Sequence, residues 1–256
     1  MPVCARSPGT HPSKENAPVK VEIWSDVVCP WCYIGKRRFE AALSRFPHRD
    51  QVEVEWKSFE LDPGARSAAA GEDGPGYADR LAKKYSTTRD DAQKMLDSMT
   101  LAAAAEGLDF RFDLAVRANT FEAHQVIHLA AARGVQDQVK ERLLRAYFTE
   151  GEPVGDRPTL VRLAAETGLE AAEVEKALEE QEYAEAVRAD ESEAGSLGIS
   201  GVPFFVVDRK YGVSGAQPAE QLLPMLQRAW DESRPPLTMV AVDEAGDACG
   251  PDGCAI

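Results

Sequence analysis

The sequence predicts an α/β chain in which a β-α-β unit and a later β-β-α unit flank a long inserted helical block. Three observations carry this. Strand patterns stand near both ends, at Val19 to Ser25 and Val52 to Leu61 on one side and Phe204 to Asp208 on the other. A helical texture rich in Ala, Glu, Leu and Arg fills residues 77–197 between them. A Cys29-Pro30-Trp31-Cys32 motif stands where the first strand gives way to a helix.

Each element follows from its pattern. Val19, Val21 and Ile23 alternate with polar residues, the period of a half-buried strand. Pro30 falls in a first helical turn, which tolerates a residue with no N–H. The helix that follows runs to about Phe46, and Pro47 stops it. Val52, Val54 and Trp56 alternate again to give the second strand, out to Leu61. Ala65 to Gly76 is small and glycine-rich and reads as a loop. Helices are expected over 77–85, 88–106, 120–133, 135–149, 158–167, 171–180 and 181–197, with Asp156 before Arg157-Pro158 as a start signal. Gly107, Gly134, Gly151 and Gly168 sit at stops. Phe204 to Asp208 and Tyr211 to Val213 form a hairpin across Arg209-Lys210, and a last helix runs from about Pro218 to Trp230. A helical block this long cannot be a loop and must pack as a domain. The expected organisation is a proline-bearing N-terminal extension at 1–18, a discontinuous α/β domain at 19–64 and 198–232, a helical domain at 65–197, and a polar tail at 233–256.

Composition narrows the function classes. The 256 residues are 44% hydrophobic and 28% charged, with a net charge of −14. An acidic chain repels phosphate, so nucleic acids and anionic membrane surfaces are poor partners. The first 18 residues lack the apolar stretch of a secretory signal, and no apolar run approaches the length of a membrane span. The expected compartment is the cytoplasm. Five cysteines, at 4, 29, 32, 249 and 254, are then more plausibly catalytic or metal-binding than a disulfide scaffold.

The motif carries the chemistry. Disulfide exchange needs a thiolate to attack and a second thiol to resolve the mixed disulfide. Cys29 precedes the first helical turn, where free N–H groups and the helix dipole favour a negative charge. Cys32 follows one turn later, and Lys36, Arg37 and Arg38 add positive potential. A CxxC is also half of a zinc site; its place between a strand and a helix favours redox chemistry, and no metal is expected. Pro203 is the second feature. A proline at the mouth of a strand removes a ladder donor, and a cis Val202-Pro203 bond is one reason to keep it there.

These segments resemble a known family. Val21 to Ile34 (VEIWSDVVCPWCYI), Asn119 to Ala130 (NTFEAHQVIHLA) and Gly198 to Asp208 (GISGVPFFVVD) are similar to the DsbA-like branch of the thioredoxin superfamily, most closely its FrnE subfamily, over about Lys20 to Trp230. The resemblance implies a thioredoxin-like fold with an inserted α-helical domain and a thiol–disulfide oxidoreductase or isomerase activity. It makes Cys29 the nucleophile, Cys32 the resolving cysteine and Pro203 a cis-proline facing them. The substrate side of the site is then expected to comprise Val202, Pro203 and Trp31, with Asn119 and His124. The same branch holds kappa-class glutathione transferases and 2-hydroxychromene-2-carboxylate isomerases, which carry serine where Cys29 stands. A glutathione-linked small-molecule isomerase or transferase is therefore the alternative. Both cysteines are kept here, which favours exchange with protein or small-molecule thiols and disulfides, needs no bound cofactor, and leaves glutathione open as electron donor.

Two further features stay open. Asn119-Thr120 caps a helix, and His124 is either a structural residue in that helix or faces Cys29 across the domain cleft with Asn119. Cys249 and Cys254 bracket Gly-Pro-Asp-Gly, a turn-forming run. They read as an auxiliary redox pair on a flexible arm, as incidental thiols, or as half of a four-thiolate zinc site with Cys29 and Cys32.

Overall fold

Alternation along the first strand decides the layers. The computed structural model describes residues 18–68 and 76–234. Within them lie β1 (Val19–Ser25), β2 (Val52–Ser58), β3 (Phe204–Val207) and β4 (Tyr211–Ser214). They form one mixed sheet in the order β2-β1-β3-β4. β1 runs parallel to β2 and antiparallel to β3, and β3 is antiparallel to β4. Val19, Val21 and Ile23 point to one face with Phe205 and Val207, where α1 (Pro30–Ser44) and α9 (Ala219–Ser233) pack. Trp24 and Val206 point to the other face and meet Ala194 and Ile199.

Between β2 and β3 the chain carries α2 (Tyr77–Tyr85), α3 (Arg89–Ala105), α4 (Phe121–Ala132), α5 (Gln136–Arg145), α6 (Arg157–Ala165), α7 (Ala171–Glu179) and α8 (Ala184–Ser196). This is a thioredoxin-like sheet interrupted by an α-helical insertion. Thr88 and Asp156 cap α3 and α6 by accepting the backbone N–H three residues on, each at 3.1 Å. The insertion grips the sheet through polar side chains. Gln136 brackets Trp56 on the edge strand, accepting its N–H and donating to its carbonyl, each at 2.9 Å. It takes the place of a neighbouring strand. Asp190 of α8 accepts the Ser58 N–H at 2.8 Å and, on its carbonyl, the Trp24 indole N–H at 3.0 Å.

Of the boundaries that differ from expectation, three have clear local reasons. β2 stops at Ser58 instead of Leu61, because β1 ends at its partner Ser25 and the next amides turn to side chains: Leu61 N–H donates to Asp26 Oδ2 at 2.8 Å. α8 begins at Ala184, three residues late, because Gln181 takes a positive φ of 51°. The helix expected over 135–149 is α5 followed by a wider π turn, Ala146–Glu150. That widening buries three consecutive residues, Ala146, Tyr147 and Phe148, which a regular helical period would not. Gly151 ends it at φ 70°, with Leu114 so close that a Cβ would stand 2.6 Å from it. Residues 1–17, 69–75 and 235–256 fall outside the described residues, and with them Cys4, Cys249, Cys254, nearly all of the N-terminal extension and most of the tail. Among the described residues, no helix is long and apolar enough to cross a membrane.

Candidate active site

The end of β1 delivers the motif. Ser25 closes the strand, and the chain turns so that Cys29 N–H donates to Asp26 O at 3.3 Å. Cys29 is the N-cap of α1 in extended backbone, Pro30 opens the first turn, and Cys32 N–H donates to Cys29 O at 3.0 Å. Both sulfurs are free thiols and both residues are buried, whereas Trp31 between them is 41% exposed. Burial is the main reason the Cys32 thiol is pushed well up, and the neighbouring Cys29 adds to it; Lys140 works in the opposite direction.

The loop before β3 faces this turn. The Val202-Pro203 bond is cis, and Cys29 Sγ donates to Val202 O at 3.6 Å. Pro203 is close enough to α1 that only glycine fits opposite it. A Cβ on Gly35 would stand 2.9 Å from Pro203 Cγ and 3.5 Å from Ala216. Gly35→Ala is therefore expected to push the loop off Cys29 and to cost about 1–3 kcal/mol, the usual range for overpacking. Chemical denaturation of the variant checks the stability, and a thiol-exchange assay checks the site. Unchanged stability with full activity would show that the loop gives way freely.

The cations of α1 are paired with carboxylates. Lys36 is buried among the carboxylates of Glu40, Asp137 and Glu141, the last two at 3.2 and 3.1 Å. Arg37 pairs with Glu40 and Glu141, and Arg38 with Glu106. These ion pairs fasten α1 to the insertion and leave little net charge for the thiols. A further buried cation comes from the insertion. Lys140 of α5 is 1% exposed, donates to Ser25 O at 3.3 Å, and stands 5.6 Å from the centre of the Trp56 ring. Burial pulls its ammonium down to about 8, against the pull of Cys32, Asp26 and Cys29 towards the charged form. A lysine lowered in the fold costs stability below that value, and the cost is relieved as pH rises from about 8 towards 10.5. At neutral pH it is on the order of 3 kcal/mol.

Asp26 lies under the motif, fully buried. Burial would raise its carboxyl, but His124, the Leu61 N–H and Lys140 outweigh it and hold the group below the ordinary range. His124 is itself buried, and burial holds its ring low, so it is neutral at neutral pH. Its Nε2 stands 3.4 Å from Asp26 Oδ1, longer than a good hydrogen bond. Lys140 adds a smaller pull on Asp26 in the same direction. His124 thus lies against Asp26, three residues before Cys29 in sequence. Asn119 has a different place: its Oδ1 accepts the Phe121 N–H at 3.0 Å, and its amide donates to Pro63 O and Ala65 O at 3.3 and 3.2 Å. It caps α4 and ties down the segment after β2.

Sequence reasoning did not single out Asp26, Gly35 or Lys140. Asp26 had a visible signal, an acid directly after an apolar strand and three residues before Cys29. Lys140 had a weaker one, since it shares a helical stripe with Leu144. Gly35 had none, because its neighbour Pro203 is 168 positions away (203 − 35).

Comparison with known proteins agrees with this geometry. The DSBA-like thioredoxin domain family matches residues 20–227. The crystal structure of a probable DsbA oxidoreductase from Streptomyces coelicolor is 47% identical, with a TM-score of 0.77 over 93% of this chain and 99% of that one. An uncharacterized Bacillus subtilis protein, YwbO, is 29% identical over 193 residues, 74% of this chain and 86% of its own. The cytosolic disulfide reductase DsbM from Pseudomonas aeruginosa, solved with GSH, shares the fold at 19% identity and a TM-score of 0.56, over 82% of this chain and 98% of its own.

Proposed function

From the premise that the chain belongs to the DSBA-like thioredoxin domain family, we propose that it is a thiol–disulfide oxidoreductase in which Cys29 attacks and Cys32 resolves. The observation that carries this reading is the position of Cys29: N-cap of α1, its sulfur on the carbonyl of Val202 in the cis-proline loop, with a second thiol one turn on. The Cys29 thiolate attacks one sulfur of a substrate disulfide. That S–S bond breaks, and the other substrate sulfur leaves as a thiolate. Cys32, after losing its proton to water, attacks Cys29 Sγ. The Cys29–Cys32 disulfide forms and the second substrate sulfur leaves. The substrate gains two electrons and the pair loses them; a small thiol such as glutathione returns them. Trp31, exposed beside the sulfurs, and the Val202-Pro203 backbone offer the surface on which a substrate segment lies. A role for such a pair in the cytoplasm is in keeping with the sequence and with the DsbM likeness.

The tail extends the proposal. Cys249 lies 15 residues beyond Arg234 (249 − 234), a reach of about 50 Å when extended. Cys249 and Cys254 would pass electrons to or from Cys29–Cys32. Reduction of insulin by dithiothreitol tests both parts. Cys29→Ser is expected to lose the activity, and full activity in that variant overturns the reading. Cys249→Ser with Cys254→Ser is expected to keep dithiothreitol-driven turnover and slow turnover driven by glutathione; equal rates with both donors would remove the tail from the pathway.

A further inference from the structure

Among the described residues two lysines are almost completely buried, and their surroundings differ. Lys36 has three carboxylates around its ammonium. Lys140, among the described residues, has no carboxylate within 4.0 Å; its contacts are the Ser25 carbonyl and the Trp56 ring. A buried charge without a partner is costly and needs a compensating anion. The groups whose charge Lys140 feels are Cys32, Asp26 and Cys29, with Lys36 opposing; His124 of α4 feels Lys140 in turn. Asp26 already has the Leu61 N–H on Oδ2. The three cations of α1, Lys36, Arg37 and Arg38, are taken by carboxylates.

We propose that Lys140, supplied by the helical insertion, is the buried counter-ion of the thiolate that the Cys29–Cys32 pair carries when reduced. It acts as a positioning residue, through charge and without bonding the substrate. The insertion is then an electrostatic part of the redox centre, not only a cover over the sheet. Reduction of the disulfide by a small thiol adds two electrons and one proton to the pair and leaves one negative sulfur. Lys140 is neutralised by that sulfur in the reduced state and faces only Asp26 in the oxidised one. The reduced form gains stability from the lysine and the oxidised form loses it.

This inference rests on the disulfide-exchange reading, and its test separates the two. Alkylation of Cys29 by iodoacetamide is followed against pH by peptide mass, and the oxidised-to-reduced ratio is measured in glutathione buffers. Lys140→Met is expected to move the alkylation profile up by about one pH unit or more, the usual effect of losing an adjacent opposite charge. It is expected to raise the oxidised-to-reduced ratio about tenfold, and Lys140→Arg is expected to keep both near the wild type. Should Lys140→Met fail to fold, the wild-type ratio carries the test. Its pH dependence is expected to change slope as the lysine titrates near 8, and Lys140→Arg is expected to abolish that change. An unmoved profile and ratio in Lys140→Met, or a wild-type slope that Lys140→Arg leaves unaltered, overturns the inference. Cys29→Ser losing insulin reduction alongside either result leaves the exchange reading standing, whereas full activity in Cys29→Ser removes that reading first.

Discussion

Cys32→Ser is expected to leave the first exchange intact and to stop turnover at a mixed disulfide on Cys29. The reason lies in the helix. Cys29 is the N-cap, and its sulfur meets the Val202 carbonyl, while Cys32 stands one turn inside and is 1% exposed. Both cysteines are buried, Cys29 at 4%, and on the proposed mechanism an incoming disulfide meets Cys29 beside the exposed Trp31. The Cys32 sulfur is buried with Cys29 as its neighbour. A serine hydroxyl at 32 fits the space but is no nucleophile towards sulfur at neutral pH. Multiple-turnover reduction of insulin should fall by roughly two orders of magnitude or more. Mass spectrometry of the variant with a disulfide peptide should find one peptide covalently bound at Cys29. A variant that turns over at the wild-type rate would show that Cys32 does not resolve.

Phe148→Ala is expected to give the largest loss of stability, about 3–5 kcal/mol. Phe148 has no exposed surface and lies at the centre of an aromatic group. Its ring is 4.7 Å from Phe110, 4.8 Å from Tyr147, 6.1 Å from Phe112 and 6.3 Å from Tyr33, centre to centre. Tyr33 belongs to α1, directly after Cys32, and the others belong to the insertion. The ring therefore joins α1, the helix that holds Cys32, to the turn that continues α5, the helix of Lys140. Truncation leaves a cavity that such a crowded group fills poorly. Urea denaturation measures the change; a loss below about 1 kcal/mol would mean that the cluster repacks.

How much was legible follows from the range of each signal. Strand and helix patterns are local, so β1, α1, β3 and the helical block could be read from alternation, Pro30 and the helix-start residues. The redox motif and Pro203 are also local, and their pairing needed only the expectation that the two loops meet. The electrostatics were not legible in this way. Lys36, Arg37 and Arg38 look cationic in sequence, yet Asp137 and Glu141, about a hundred positions on, cancel them. Lys140 looks like one more charge in QDQVKERLLR, and only the packing of α5 on β2 buries it. The π turn at Ala146–Glu150 was hidden for the same reason, since it is set by what Tyr147 and Phe148 pack against.

On the proposed function, Cys29 and Cys32 form one two-electron couple. Equilibration of the protein in glutathione buffers of graded ratio, quenched by acid and read by peptide mass, tests it directly. The expected result is a single transition from two free thiols to an internal Cys29–Cys32 disulfide, replaced in Cys32→Ser by a glutathione adduct on Cys29. Persistence of both thiols as independent groups across the series, with no internal disulfide, would contradict it.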